Sequence, residues 1–462
     1  MNERDVEKAL RDWIEEDTDA PEPSRLRERI MAVPEAAEVD SRFGWSWLTG
    51  WLRVRPLSAA TAAGVLLIVF ALALVPFGPT GEPGTLLVAQ DGSGEYATIS
   101  EAVAAAEDGD TILVRPATYV ESIRIDKDIT LRGDGARDEI VITSPAEVPR
   151  RYLPRDQQPY AIRVDDADVS VASLTLTGPA SAMIVLGGSQ RITNVAFVDS
   201  GHYDEADPEG ASRDAGLVLA DGSTAQVRDS LFRRSSVIVD PGAGATLEAN
   251  ELETSWVTVG DWRSAVTAEM ALDPAVLEAE GSDRNRTVIE KNVWTDSPDA
   301  IFLGIGETAL VEGNEIRGAG AIAIMVMGAR EGSVIRGNTI SDGRTAIMLV
   351  DDTRVDVSEN DVRGNEVGFN ISGRGATVSR NEIRDNTVGV IIASIPNGTS
   401  PTLEGNDISG NVRGVSISAG ASPILRDNVI CGNELNLNLV EGSNAIFEDN
   451  EICPDGASSE AP

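Results

Sequence analysis

Histidine, cysteine and lysine are scarce in this chain of 462 residues, and their scarcity narrows its chemistry. The one histidine, His202, rules out a metal centre built from several histidines, and three lysines leave few candidates for a catalytic amine. Basic residues are also few, with 38 Lys and Arg against 75 Asp and Glu, which gives a net charge of −37. Because such a charge repels polyphosphate, nucleic-acid binding is excluded as the main role.

Aromatic residues are also rare, at 4% of the chain, whereas 42% is hydrophobic and 44 residues are glycine. The hydrophobic content is sufficient for a core and argues against global disorder. Together with the many glycines, it favours a fold of short strands and tight turns.

One uncharged run, 57–78, is long enough to span about 30 Å of hydrocarbon as a helix. It follows more than 50 residues of polar sequence, so we interpret it as an uncleaved anchor, with a buried core helix as the alternative. Arg53 and Arg55 precede the run, and the next basic residue is Arg115. The positive-inside rule therefore predicts a single-pass protein of the cell membrane, with a cytoplasmic N-terminus and an extracellular C-terminal domain.

The segment before the anchor, 1–52, is too short to bury a sizeable core. Its apolar residues recur at helical spacing, which predicts a short helical segment in the cytoplasm. That segment is either a docking element for a partner or a solubilising tail. Residues 79–84 are rich in Pro and Gly and form a linker, and 454–462 form a flexible tail.

Beyond the linker the sequence is periodic. An Asn-x-apolar triplet recurs, and its spacings from Asn292 onward are 22, 24, 22, 21, 25, 22 and 22. A period of about 22 with apolar residues in alternation fits three short strands and three turns, so it predicts an all-β solenoid over 85–453. The Asn column consists of Asn250, Asn292, Asn314, Asn338, Asn360, Asn381, Asn406, Asn428 and Asn450.

This region resembles the right-handed parallel β-helix of the pectin lyase superfamily. It opens with LLVAQDGSGEYATISEAVAAAEDGDTILVRPATYV, which is similar to the first coils of pectin methylesterases. The resemblance implies a short capping helix at the N-terminal end of the stack. Ile99, Ala102, Val103 and Ala106 supply the apolar face that such a cap needs.

The Asn column has a structural explanation, because stacked amides about 4.8 Å apart can donate and accept hydrogen bonds along the column. Cys431 and Cys453 are 22 residues apart at matching repeat positions, a separation that admits a disulfide outside the cell. The alternative is two small buried side chains without a bond.

One sheet of the solenoid is the candidate binding face. Insertions at about 145–158, 201–213 and 261–286 flank it and would build the walls of a groove. In the superfamily that the resemblance points to, polysaccharides lie along this groove. The strands predicted for the sheet are 160–164, 182–186, 216–220, 237–240, 256–259, 300–305, 321–327, 346–350, 368–371 and 389–392.

Alternation along these strands sorts their side chains into two faces. Predicted to point inward are Ile162, Leu217, Val257, Ile301, Ile322, Ile347, Phe369 and Val390. Predicted to point outward are Arg163, Val218, Thr258, Phe302, Ala323, Met325, Met348, Asn370 and Ile391. The outward set holds one cation and no carboxylate, whereas glycoside hydrolysis needs two carboxylates and β-elimination needs a base with a cation. The QDT, DFIFG and LGRPW signatures of pectin methylesterases are absent from the sequence.

The candidate ligand-binding residues are the outward cation and the aromatic or imidazole side chains on or near the insertions. They are Arg163, Tyr152, His202, Tyr203, Trp256 and Trp262. Aromatic faces stack on sugar rings, but they also clamp loops onto a scaffold. Met183, Met325, Met327 and Met348 are expected to share the outer face, as packing beneath an insertion or, less readily, as copper ligands.

Carboxylates follow several strands of this sheet and could line one turn. They are Asp165, Asp166, Asp221, Asp240, Asp261, Asp351 and Asp352. Calcium needs six or more converging oxygens, and the sequence contains no calcium-loop consensus, so no cofactor is predicted and calcium stays a minor alternative to solvated turns.

Three functions are compatible with these patterns. The first is a non-catalytic β-helix at the cell envelope that binds carbohydrate or a protein partner. The second is a polysaccharide-active enzyme, of esterase, lyase or hydrolase type, with carboxylates from the insertions. Its candidates are Asp204, Glu205, Asp207 and Asp261. The third is a rigid spacer.

Overall fold

The computed structural model describes residues 83–145, 159–200, 215–260, 286–350, 353–393 and 400–456. The predicted cytoplasmic segment 1–52 and membrane span 57–78 lie outside these residues. Among the described residues, no helix is long and apolar enough to cross a membrane.

The N-terminal end of the solenoid carries helix α1 (Ile99–Ala105), whose Thr98 and Glu101 form a capping box. Ile99, Ala102 and Val103 are buried on its inner face, as the sequence predicts. At its C-terminal end the Lys127 ammonium donates to three backbone carbonyls, which complements the helix dipole.

The first coils contain ten strands and one 3-10 turn (Arg137–Glu139). The strands are β1 (Thr85–Val88), β2 (Thr111–Val114), β3 (Ala117–Val120), β4 (Ile123–Ile125), β5 (Thr130–Gly133), β6 (Ile140–Thr143), β7 (Tyr160–Asp165), β8 (Val169–Gly178), β9 (Ser181–Leu186) and β10 (Ser189–Ser200).

The middle coils supply twelve further strands, most of them three to five residues long. These are β11 (Leu217–Leu219), β12 (Thr224–Arg228), β13 (Leu231–Arg233), β14 (Val237–Val239), β15 (Gly244–Glu248), β16 (Glu251–Glu253), β17 (Val257–Val259), β18 (Thr287–Glu290), β19 (Val293–Thr295), β20 (Asp299–Leu303), β21 (Ala309–Glu312) and β22 (Glu315–Arg317).

The C-terminal coils repeat the same three-strand unit. Their strands are β23 (Ile322–Met327), β24 (Ser333–Arg336), β25 (Thr339–Ser341), β26 (Thr345–Val350), β27 (Val355–Ser358), β28 (Asp361–Arg363), β29 (Val367–Ile371), β30 (Thr377–Ser379), β31 (Glu382–Arg384), β32 (Val388–Ile392), β33 (Thr402–Glu404), β34 (Asp407–Ser409), β35 (Arg413–Ile417), β36 (Ile424–Arg426), β37 (Val429–Cys431), β38 (Leu435–Leu439), β39 (Ile446–Glu448) and β40 (Glu451–Ile452).

All described pairings are parallel and join each strand to its equivalent in the next coil, which makes a parallel β-solenoid. Two sheets result. Sheet A has 27 strands and runs along two sides of each coil, and sheet B has 13 strands, from β4 to β38. Between them lies one continuous aliphatic core, in which Phe197 and Phe232 of consecutive coils stack with ring centroids 4.6 Å apart.

A buried ladder of asparagines runs along the bend between the two sides of sheet A. The Nδ2 and backbone N–H of Asn360 both donate to Oδ1 of Asn381, at 2.9 and 3.0 Å, and Asn381 repeats the pattern on Asn406. Asn381 Nδ2 also donates to the Val357 carbonyl at 3.0 Å. Each amide therefore satisfies the backbone of its own turn and of the next coil.

The residue before each of these asparagines has a positive φ, for example Lys291 (φ 56°) and Glu359 (φ 58°). This left-handed residue produces the sharp bend, and the following Asn supplies the hydrogen bonds that the bent backbone lacks. A second ladder runs through Asn365, Asn386, Asn411 and Asn433 in the turn that leads into sheet B.

The structure joins Cys431 and Cys453 in a disulfide, with their Cα atoms 4.9 Å apart. The bond staples two consecutive coils near the C-terminal end of the solenoid, where β37 pairs with β40. This is the pairing that the matching repeat positions predict.

Two sequence predictions about sheet B are wrong in register. Ile322 is half-exposed and Ala323 is fully buried, whereas the opposite was expected, and Ile324 takes the inward position. Ala323 occupies the site of Gly389, where an added Cβ would lie 2.7 Å from the Gly414 carbonyl. A small residue therefore turns inward at this point of each coil and interrupts strict alternation.

Met183 also differs from its predicted position on the outer face. It pairs with Ile162 and Leu217 and lies in the main core, with no exposed surface. The two preceding residues, Ser181 and Ala182, are buried as well. Ala182 is the small residue that turns inward at the start of this strand.

We predict that Asn381→Ala lowers the free energy of unfolding by about 2–4 kcal/mol, because the buried donors of Asn360 and the Val357 carbonyl lose their partner. Denaturant unfolding followed by circular dichroism measures this. The exposed Asn444 provides the matched control, and Asn444→Ala should change stability by less than about 0.5 kcal/mol. Equal losses in both variants would contradict the structural role of the ladder.

Replacing Cys431 and Cys453 together with Ala is expected to cost about 3 kcal/mol, since the bond closes a 22-residue loop. Limited proteolysis should then release the last coils first. Dithiothreitol should reproduce this cleavage in the natural protein and have no further effect on the double variant. If reduction leaves the cleavage pattern of the natural protein unchanged, the staple has no stabilising role.

Candidate functional site

The outer face of sheet B presents one unbroken column of side chains, because each residue pairs directly with its equivalent on the next strand. Equivalent residues lie about 4.8 Å apart along this column. In order the column contains Arg124, Arg163, Ile184, Val218, Ile238, Thr258, Phe302, Met325, Met348, Asn370, Ile391, Ser416 and Asn438.

At the cationic end of the column, two arginines share one carboxylate. Arg163 Nε lies 2.6 Å from Asp165 Oδ1, and Arg124 binds the other oxygen of the same carboxylate. The side chains of Arg163 and Asp165 are largely shielded, at 19% and 15% exposure. Arg163, predicted as a ligand-binding cation, is therefore engaged by a residue of its own strand.

Next to this end the outer face is apolar and covered. Ile184 and Val218 have no exposed surface although they point away from the main core, and with Ala215 they form a separate small cluster. Tyr160, Leu186 and Ile238 pack against it. This part of the face is a second hydrophobic cluster rather than an open binding surface.

The middle of the column is open and mostly apolar. Phe302, Met325 and Met348 are half-buried and follow one another on consecutive strands, with Asn370 beside them. We call these four residues the sheet B stripe. Methionine side chains adapt their shape to a partner, and aromatic and Met residues are enriched in protein interfaces.

Trp256 lies directly before β17 and is half-buried. Its backbone N–H donates to Ser236 Oγ at 3.3 Å, and its carbonyl accepts from Val237 N–H at 2.9 Å. These bonds fix the strand entry one coil from Phe302, at the edge of the sheet B stripe. The placement is compatible with ligand contact and with clamping of the scaffold.

Within the strands of sheet B, Asp299 is the only carboxylate that lies beside the sheet B stripe. Its Oδ1 accepts a hydrogen bond from the Ile322 N–H at 2.9 Å. The side chain reaches solvent, but desolvation by the surrounding protein raises the pKa of this carboxyl above its ordinary value, and the hydrogen bond only partly opposes the shift. The sequence pattern does not single out Asp299, because its surroundings depend on distances between coils.

Charges on the strands of sheet B are too far apart for paired-carboxylate chemistry. The only acidic residues in these strands are Asp165 and Asp299, and five strand spacings separate them, about 24 Å. The nearest strand cations, Arg163 and Arg413, also lie about five spacings from Asp299. Glycoside hydrolysis needs two carboxylates within about 5–9.5 Å, so the described strands do not supply that pair.

Several predicted site residues lie outside the described part of the chain. Among the ligand-binding candidates these are Tyr152, His202, Tyr203 and Trp262, and the catalytic candidates among them are Asp204, Glu205, Asp207 and Asp261. Asp351 and Asp352 of the predicted acidic turn also lie outside it.

Within the described ranges, one group of potential metal ligands converges, and it consists of Cys431, Glu451 and Cys453. Both thiols are already joined in the disulfide, which removes the thiolates that a metal would bind. The arrangement is therefore explained by the staple between the last coils.

Comparison with known proteins identifies the repeat region. A family described as "Right handed beta helix region" matches residues 275–388. No curated protein matches the chain.

Three solved structures with a similar fold are distant in sequence. The A-module of an Azotobacter vinelandii mannuronan C-5 epimerase is 14% identical, covers 77% of this chain and 93% of its own, and has a TM-score of 0.42. A periplasmic alginate epimerase is 11% identical with 75% and 77% coverage and a TM-score of 0.41. A mannuronic acid specific polysaccharide lyase from human gut microbiota is 13% identical with 81% and 92% coverage and a TM-score of 0.39.

None of these likenesses assigns an activity to the chain. The family match and the parallel coils agree on the architecture that the sequence predicts. Residues 275–388 match the right-handed beta helix region, and the described coils before and after them continue the same parallel stack.

Proposed function

We propose that this protein is a single-pass, membrane-anchored β-helix that binds a partner at the extracellular side of the envelope without chemical turnover. The observation that carries the proposal is the composition of the outer face of sheet B. Its accessible centre is apolar, both arginines at its cationic end are bound to Asp165, and Asp299 is isolated from other strand charges by about 24 Å.

The composition of the sheet B stripe favours a protein surface over a bare polysaccharide. Phe302, Met325 and Met348 offer a continuous apolar strip, and Asn370 offers one amide at its end. Polysaccharide recognition relies on hydrogen-bonding groups in addition to aromatic stacking, and the strip has few of them. A carbohydrate ligand would have to draw its polar contacts from the insertions.

Two observations support placement outside the cytoplasm. Disulfides persist in oxidising compartments, and Cys431 and Cys453 are bonded. The uncharged run 57–78, preceded by Arg53 and Arg55, provides the anchor and orients the C-terminal domain outward.

Photo-crosslinking in intact cells tests the binding face. A photoreactive amino acid at Met348 of the full chain should give a discrete protein adduct, and adding Met325→Asp should lower its yield at least fivefold. The same amino acid at Thr377, an exposed position on the outer side of sheet A, is the matched control and should give no such adduct. Equal yields from the two positions would contradict the assignment of the face.

Topology is tested separately by protease shaving of intact cells that express the chain with a tag at each end. Loss of the C-terminal tag with retention of the N-terminal tag is expected. Protection of both tags, or loss of the N-terminal tag alone, would contradict the proposed orientation.

The second candidate function is polysaccharide cleavage, and the raised pKa of Asp299 is the observation that favours it. A carboxyl with a raised pKa stays protonated to higher pH and can act as a general acid, so activity would fall as pH rises through that pKa. Release of new reducing ends from a polysaccharide, abolished by Asp299→Asn, would replace the binding proposal with this one.

A further inference from the structure

A second groove lies on the outer face of sheet A, away from the sheet B stripe. It has a volume of about 480 Å³, which is within the size range of small-molecule sites, and β8, β10, β12 and β15 form its floor. Its lining contains hydroxyl, amide and guanidinium side chains and no aromatic ring.

Strand register explains how these side chains converge. Ser170, Arg191, Gln226 and Thr246 are direct neighbours on four consecutive strands, so they form one outward column. Ser189 and Thr224 form a second column next to it, with their hydroxyls 2.9 Å apart, and Gly244 continues this column without a side chain. The missing side chain leaves the floor open at that point.

The groove carries a local positive charge in a strongly acidic protein. Two cations line it, Arg191 and Arg286, and among the described residues neither forms an ion pair. Arg286 donates to the Gly332 carbonyl at 3.3 Å, which holds it at the rim. The one carboxylate in the lining, Asp168, already accepts the Ser189 N–H at 2.7 Å.

Neighbouring cations on the same face behave differently. Arg228 is paired with Glu248 at 2.8 Å, and Arg336 with Glu312 at 2.9 Å. Among the described residues, sheet A therefore pairs the arginines that lie one column away but leaves Arg191 without an ion pair. An unpaired guanidinium beside hydroxyl groups is suited to a planar or tetrahedral oxyanion, which accepts hydrogen bonds from both.

We propose that this groove is a second binding site, which takes a small hydroxylated ligand that carries an oxyanion, such as an acidic or phosphorylated sugar. Arg191 holds the oxyanion, and Arg286, three strands further along the sheet, adds positive charge at the rim. The side chains of Gln226, Thr246 and Ser170 form hydrogen bonds to the hydroxyl groups of the ligand. The backbone of these strands does not, because its N–H and C=O groups are already paired in the parallel ladders. The site is independent of the partner proposed for the sheet B stripe.

Titration calorimetry with the full chain in detergent tests the groove with matched probes. Cellotriose is compared with its C6-oxidised triuronate, and glucose with glucose 6-phosphate. We expect binding of at least one anionic probe, no binding of the neutral probes, and an affinity that falls with added salt. The carboxylate and phosphate arms then distinguish the two sources of the oxyanion.

Variants connect that binding to the named residues. Arg191→Ala should lower the affinity for the anionic probe about 10-fold or more. Arg191→Lys should recover part of the loss, since lysine keeps the positive charge but lacks the planar guanidinium that donates two parallel hydrogen bonds. Thr246→Val should weaken binding about threefold. Arg413→Ala is the matched control, because Arg413 is also exposed and forms no ion pair among the described residues, but it lies on sheet B.

The proposal is overturned if no probe binds, if neutral and anionic probes bind equally, or if Arg191→Ala and Arg413→Ala have the same effect. An unchanged unfolding midpoint in each variant shows that a lost affinity is not a lost fold. Met325→Asp should leave binding of the anionic probe unchanged. The test of the groove is therefore separate from the test of the sheet B stripe, and either proposal can fail without the other.

Discussion

Every coil of this protein depends on the coil beside it. A single three-strand turn of about 22 residues cannot enclose its own apolar side chains, because its strand edges and apolar surface are covered by the neighbouring coils. The asparagine ladder belongs to the same constraint: Asn360 satisfies its backbone and side-chain donors on Asn381, one coil further along. Stability is therefore shared between coils rather than held within any of them.

Because the core and the ladders hold the coils together, the outward side chains can vary in chemistry. They differ between the two sheets. On sheet A, opposite charges on adjacent strands are paired along one column, as with Arg228 and Glu248, while Arg191, one column away, forms no ion pair among the described residues. On sheet B, the accessible centre is apolar around Met325 and Met348. One scaffold can therefore present two chemically distinct surfaces without any change in its core.

Much of the fold follows from the sequence because the ladder residues repeat. The Asn spacing places the bends, and predicted strands such as 389–392 and 256–259 match Val388–Ile392 and Val257–Val259 closely. Register failed at β23, where the sequence Ala-Ile-Ala-Ile offers two equivalent alignments and only packing against Ala300 and Ala346 selects one. The isolation of Asp299 and the pairing of Arg163 with Asp165 could not be predicted, because both depend on distances between coils.

Hydrogen–deuterium exchange of the full chain, resolved by peptide, tests the stacking most directly. The account predicts strong protection of the backbone amides in the described strands between Asn338 and Asn428. The strand N–H groups bond in the parallel ladders, and the N–H groups of the ladder asparagines bond to the amide oxygen of the next coil. Rapid exchange throughout those peptides, at a rate near that of an unfolded chain, would contradict it.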